Sequence, residues 1–231
     1  MERYTFAVVE YLREHPGVRD VRFSRGQGVT EARLREWELL NSSSLPDDLR
    51  GFLSTTNGFQ VTWCVDVGNG DVEIGNMSIN RIDLITAVPL DASPPDDPWA
   101  GSGKHGVPEM ANEVDGVASI VKTKHAPIFP TAAFDVGGTA GTTTRVALVF
   151  LRDGTHQVWF QDPSGKWHIV ACSFSEYFQK LHAALGLPNW QLRSTPTGMD
   201  PESHRWWSWM APENLVLDVA KGKLRRVDRL K

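Results

Sequence analysis

The strongest constraint in this sequence is a change of period at Asn57-Gly58. Before it, Leu49, Phe52 and Leu53 stand at i, i+3 and i+4, the spacing that lines one face of a helix. After it, Phe59, Val61, Trp63 and Val65 alternate with Gln60, Thr62, Cys64 and Asp66, the spacing of a half-buried strand. A short helix that turns directly into a two-faced strand must lay its apolar stripe on the sheet the strand begins. That pattern predicts an α+β fold, with N-terminal helices and a C-terminal helix packed on a mostly antiparallel mixed sheet.

The elements around this junction follow the same logic. Pro46 suits a first helical position, where its missing N–H has no intrahelical partner. Asp47 and Asp48 place negative charge at the positive end of the helix dipole, and Gly58 can close the helix in the left-handed conformation. Upstream, residues 5–15 and 30–40 carry helical spacing, the second with Leu34, Trp37 and Leu40 facing in. Between them, residues 18–23 alternate with one slip of phase and predict a short edge strand. Downstream of Gly68-Asn69-Gly70, residues 72–85 predict one or two further short strands.

Residues 89–127 shift to Pro94-Pro95-Asp96-Asp97-Pro98, Gly101-Ser102-Gly103 and Gly106, the composition of a long loop or insertion in which residues 117–121 could pair locally. Order is expected to return at residues 128–129 and 133–136. The run Val146-Ala147-Leu148-Val149-Phe150 predicts a central strand buried on both faces. Residues 157–160 and 167–170 follow as strands, separated by turn residues, with Trp63, Trp159 and Trp167 as core. A helix over 176–185 is capped by Ser173 or Ser175 and closed by Gly186. The expected organisation is one domain over residues 1–190 with the 89–127 insertion, then a C-terminal extension over 191–231.

Composition narrows the function. The 231 residues include 24 Lys+Arg and 28 Asp+Glu, a formal net charge of −4, whereas general nucleic-acid binding needs a basic surface to displace counterions. Two cysteines, Cys64 and Cys172, without a CxxC neighbour support neither a disulfide scaffold nor a zinc site. No window of 18 apolar residues and no apolar leader predicts a membrane span or a secretory signal, so the expectation is a soluble protein of a reducing, intracellular compartment with no membrane partner. No metal and no cofactor are expected.

Catalytic signatures are sparse. There is no GxSxG elbow and no HExxH. His168 and Cys172 share a strand face and are expected to be packing residues. The pairs Asp47-Asp48 and Asp200/Glu202 are explained by helix starts. The string Asp135-Val136-Gly137-Gly138-Thr139-Ala140-Gly141-Thr142 is either a hairpin loop or, as in a small phosphotransferase, a phosphate-cradling turn across Gly137 to Gly141. No GK[ST] follows it.

The C-terminal extension is the remaining feature. Trp206, Trp207 and Trp209 crowd one short segment, where they either wrap back over the domain or anchor a partner. Residues 221–231 set Lys221, Lys223, Arg225, Arg226, Arg229 and Lys231 against Asp228 alone. That stretch is either a solvated tail or a steering surface for an acidic partner, with Leu224, Val227 and Leu230 as an apolar face. The candidate partner-binding residues are Trp206, Trp207, Trp209, Arg225, Arg226 and Arg229.

The segment Leu45-Pro46-Asp47-Asp48-Leu49 … Asn57-Gly58-Phe59 resembles the signature of the SMI1/KNR4 superfamily, which implies two N-terminal helices on a mixed sheet. A closer resemblance is to the family of tubulin polyglutamylase complex subunit 2. It is carried by Thr55-Thr56-Asn57-Gly58-Phe59 with Thr62-Trp63, by Gly75-Asn76-Met77-Ser78-Ile79-Asn80, by Val158-Trp159-Phe160 with Trp167-His168, and by Leu185-Gly186-Leu187-Pro188-Asn189-Trp190-Gln191. The resemblance implies a non-catalytic scaffold or adaptor subunit of a microtubule-associated assembly. Its implied partners are tubulin ligase subunits, tubulin or axonemal proteins. Its implied place is the cytoskeleton, at a cilium, flagellum or basal body. An immunity-type protein-binding domain is the alternative within the superfamily. No catalytic residue is transferred.

Overall fold

A computed structural model describes residues 2–88, 130–137, 144–218 and 223–226. Helix α1 (Glu2–Glu14) leads into strand β1 (Val18–Arg25), followed by α2 (Glu31–Asn41) and α3 (Asp47–Thr55). Strands β2 (Phe59–Asp66) and β3 (Asp71–Ile79) complete an antiparallel sheet of order β1-β2-β3. A second antiparallel sheet runs β4 (Pro130–Gly137), β5 (Arg145–Leu151), β6 (His156–Gln161) and β7 (Trp167–Ala171) in chain order. Helix α4 (Phe174–Ala183), helix α5 (Pro201–Met210) and the hairpin β8 (Leu215–Asp218) with β9 (Lys223–Arg226) follow.

The predicted α+β class holds, and every described strand pairing is antiparallel. The expected sheet is divided into three- and four-stranded parts. They meet where the Asn80 N–H donates to the Val136 carbonyl at 2.9 Å.

The helices pack on one side. Val8, Val9 and Leu12 of α1, Leu49, Phe52 and Leu53 of α3, and Phe174, Phe178 and Leu181 of α4 join Val61, Trp63 and Val65 of β2 in one core. Val146 and Leu148 of β5 face that core, while Ala147, Val149 and Leu151 bury against Trp159 and Trp167 on the other side. The central strand is therefore buried on both faces, as its unbroken apolar run predicts. Trp63 belongs to the first cluster, Trp159 and Trp167 to the second.

Irregularities in the sequence pattern become irregularities in the ladder. The phase slip in β1 is a register shift between Arg19 and Arg22, with Asp20 in the left-handed region at φ 47°. In β3, Trp63 faces Gly75 and Cys64 faces Glu73, so Ile74 is an extra residue. That bulge moves the buried set from Ile74 to Met77 and Ile79, and one bulged strand accounts for the apparent pair of short ones. Ile82 to Leu84 forms a single 3₁₀ turn instead of a strand.

Several local expectations are corrected. Pro46 is the N-cap of α3, not its first helical residue, and Thr56 ends the helix in an extended conformation. Gly58, at φ 73°, serves the next turn, where a Cβ would meet the Arg81 nitrogen and the Ile79 oxygen at 2.8 Å. Leu40 is 76% exposed, because the inward stripe of α2 consists of Leu34 and Trp37 alone. Helix α4 starts two residues earlier than predicted, with the Ser173 hydroxyl accepting from the Glu176 N–H at 3.1 Å. Cys172 is exposed, not packed.

Candidate functional site

Helix α5 is fixed at both ends. Pro201 occupies its first turn and Asp200 caps it, accepting from the N–H groups of Glu202 and Ser203 at 3.1 and 2.9 Å. The second Asp200 oxygen accepts from Asn189 Nδ2 at 3.2 Å, which ties the cap to the preceding segment. The Ser203 bonds, with this one, hold the Asp200 carboxyl below its usual range. At the far end Met210 is fully buried, and Ala211 turns the chain in the left-handed region.

The three tryptophans are thereby spread over a surface. Trp206 and Trp207 are half-buried against the main core. The Arg193 guanidinium lies 4.5 Å above the Trp207 ring, and that of Arg205 lies 5.2 Å above Trp206. Trp209 meets Trp206 edge to face at 6.1 Å and His15 at 5.3 Å. It also lies on the α1–β1 turn, where a Cβ on Gly17 would fall 2.5 Å from its Cζ2. Even so, Trp209 remains 41% exposed. All three rings pack on their own domain, and Trp209 alone keeps a broad exposed face.

The basic segment is partly a strand. Residues 223–226 pair with β8, with Val216 opposite Arg225 and Leu215 opposite Arg226. Leu224 packs on the core, while Arg225 and Arg226 are exposed. The Lys223 ammonium is 3.5 Å from Glu14 Oε1, an exposed pair of little energetic weight. Arg229, Val227 and Leu230 lie outside the described residues.

His15 joins the two halves. It touches Trp209 on one side and Tyr11 at 5.9 Å on the other. Partial burial and then the positive charge of Arg226 lower its pKa. The structure thus brings Trp209 and Arg226 to one patch on α1 and carries Trp206 and Trp207 toward Arg193 and Arg205. Sequence spacing missed Tyr11, His15, Arg193 and Arg205, because each reaches the patch from a segment remote in sequence or from a helix face that spacing leaves unassigned.

The enzyme-like features have structural uses. Gly137 ends β4 beside β3, where a Cβ would come within 2.7 Å of the Ser78 carbonyl oxygen. Residues 138–143 of that glycine-rich string lie outside the described residues. His168 Nε2 bonds Asp162 Oδ2 at 2.8 Å, but the other Asp162 oxygen accepts from Ser164 N–H, Ser164 hydroxyl and Lys166 N–H. Burial opposes ionisation of Asp162, yet these bonds prevail and bring its pKa down to about 2. The dyad closes the β6–β7 turn. Among the described residues no group of three His, Cys, Asp or Glu could hold a metal, and no helix is long and apolar enough to cross a membrane.

The described residues thus form an α+β fold of two main antiparallel sheets and a C-terminal hairpin, with a cation-stacked aromatic surface on α5. The chain's known relatives have a specific identity. The chain is similar to tubulin polyglutamylase complex subunit 2 of Rattus norvegicus and of Mus musculus, 28% identical in each case over 231 residues, or 92% of this chain and 72% of the relative. It is 26% identical to the same subunit of Homo sapiens over 238 residues, 99% of this chain and 77% of the relative. No family model matches the chain. No solved structure matches it.

Proposed function

We propose that this chain is a non-catalytic scaffold or adaptor subunit of a microtubule-associated assembly linked to tubulin polyglutamylation. The observation that carries this reading is the length of the likeness: 92–99% of the chain aligns with proteins named as a subunit of that complex. The structural use of Asp162, His168 and Gly137 is in keeping with it. The chain resides with the cytoskeleton, at a ciliary axoneme or basal body. Its domain over residues 1–190 is SMI1/KNR4-like, and residues 191–231 form the docking extension.

Its partners are ligase subunits, tubulin or axonemal proteins. They dock on Trp206, Trp207, Trp209, Arg225, Arg226 and Arg229. Trp209 supplies an exposed aromatic anchor of the kind that dominates interface energies. The arginines attract acidic surface and speed encounter. Replacing Trp209 by Ser together with Arg225→Glu and Arg226→Glu leaves the contacts of the buried Met210 and the half-buried Leu224 in place. We expect capture of partner from cell extract to fall at least tenfold, with steeper salt dependence in the wild type than in the variant, and with circular dichroism unchanged. Equal capture would remove the surface from the account.

A further inference from the structure

A cavity of about 640 Å³ opens between α1, β1, α3 and the start of α4. This volume lies in the range of ligand-binding clefts. Its floor is phenylalanine: Phe23, Phe52, Phe59 and Phe178. Arg3 stands on the α1 wall and Asp47 on the α3 wall, and neither has a hydrogen-bond or ion-pair partner among the described residues. Arg25 also lines the cavity, with its guanidinium 5.7 Å from the Phe6 ring centre. Phe6, although stacked edge to face on Phe23 at 5.7 Å, is 45% exposed.

Gly51 is the informative residue. It lies inside helix α3, where alanine would be the better helix former. Its φ is not positive and a Cβ there would meet nothing within 4 Å. Neither backbone geometry nor packing therefore requires glycine. It does line the cavity, and a bare backbone at a cavity wall lets a ligand come close.

From the phenylalanine floor, the unpartnered opposite charges and the bare backbone at Gly51, we infer that this cleft receives a short segment of a partner protein. An apolar side chain of that segment seats on the phenylalanines. An acidic neighbour meets Arg3, and a basic neighbour meets Asp47. The separated charges select a ligand with charges of both signs on either side of an apolar group. The exposed rim residues Arg3, Phe6 and Thr55 leave the cleft open for a chain to enter and leave. The peptide class rests on the reading of this chain as a subunit of an assembly.

The test is selection of a random heptapeptide phage library on the full chain, followed by titration of the selected peptide. The expected peptides carry an apolar residue between an acidic and a basic one. Gly51→Leu fills the cavity from a position with free space, and it should melt no lower than the wild type while weakening the peptide at least tenfold. Arg3→Glu, on an exposed side chain, should select peptides without the acidic residue. No enrichment, or binding that Gly51→Leu leaves unchanged, overturns the inference. Equal competition by free phenylalanine overturns the peptide class in favour of a small zwitterion. Failure of the assembly reading would be seen separately, as ligase subunits missing from the proteins that co-purify, and would leave the peptide titration unaffected.

Discussion

Replacing Gly75 by alanine is expected to cost about 4 kcal/mol of unfolding free energy, the sum of an overpacking and a hydrogen-bond loss. Gly75 faces Trp63 across the β2–β3 ladder, and a Cβ would fall 1.7 Å from the indole Nε1 and 2.0 Å from Cε2. The indole cannot yield freely. It is fully buried, and its N–H donates to the Leu185 carbonyl at 2.9 Å. Forcing extra volume into such a site costs about 1–3 kcal/mol. Breaking a buried hydrogen bond and leaving its groups unmet adds about 1–3 kcal/mol. Total stability is typically about 5–15 kcal/mol, so the variant should unfold at markedly lower urea. Gly51→Ala is the control: the same added methyl meets nothing within 4 Å and should raise stability by about 0.5–1 kcal/mol. A Gly75→Ala cost below about 1 kcal/mol, under the low end of overpacking alone, would contradict the packing described for Trp63.

The second large effect is a pH dependence centred on His182. Its imidazole is fully buried among Phe59, Phe178 and Tyr4, with ring centres 5.5, 4.2 and 5.5 Å away. Nδ1 donates to the Phe178 carbonyl at 2.8 Å, which leaves Nε2 to accept from the Thr5 hydroxyl at 2.9 Å. Burial lowers its pKa to about 4, against the opposing hydrogen bond to Phe178. The ordinary value is near 6.5, so between those values the unfolded chain takes up a proton that the folded one refuses. Stability from this group is therefore complete above about pH 6.5 and falls by about 3 kcal/mol as pH drops to about 4. The carboxylates of Asp162 and Asp200, whose pKa values are lowered, add losses of their own at lower pH. His182→Gln isolates the histidine: the variant should be less stable at pH 7 but lose little more between about pH 6.5 and about pH 4. Parallel acid profiles for the two proteins would show that His182 is not the source.

Much of this fold is legible in local sequence because its signals are local. The switch at Asn57-Gly58 places α3 and β2, and the slip between Val18 and Phe23 marks the bulge at Asp20. What local pattern could not carry is long-range. Trp63 reads as core from alternation, but its bond to Leu185, 122 residues away, explains why Gly75 must stand opposite it. The charges of Lys223, Arg225 and Arg226 read as a solvated or steering tail, yet Leu224 among them packs on the core and holds that stretch as a strand beside α1. The division into two sheets depends on how Asn80 meets Val136 across a long sequence gap.

The candidate surface shows the same limit. Trp206, Trp207 and Trp209 attract notice by crowding, and Arg225 and Arg226 by charge. Only Trp209 and Arg226 meet, through His15 and Tyr11, and that meeting required α1 to lie between them. The phenylalanine cleft was not legible at all. Phe52 and Phe59 read as ordinary core from their spacing, and nothing in the local pattern joined them to Phe23, Phe178 or Gly51.

The proposed role of this chain is that of a subunit of a tubulin-polyglutamylating assembly. The most direct measurement is affinity purification of the tagged full chain from its own cells at mild salt, with mass spectrometry of what co-purifies. A tubulin ligase should be recovered in a fixed ratio to the chain, together with tubulin or axonemal proteins. Recovery of no cytoskeletal protein, or of a single toxin-like partner, would contradict that role.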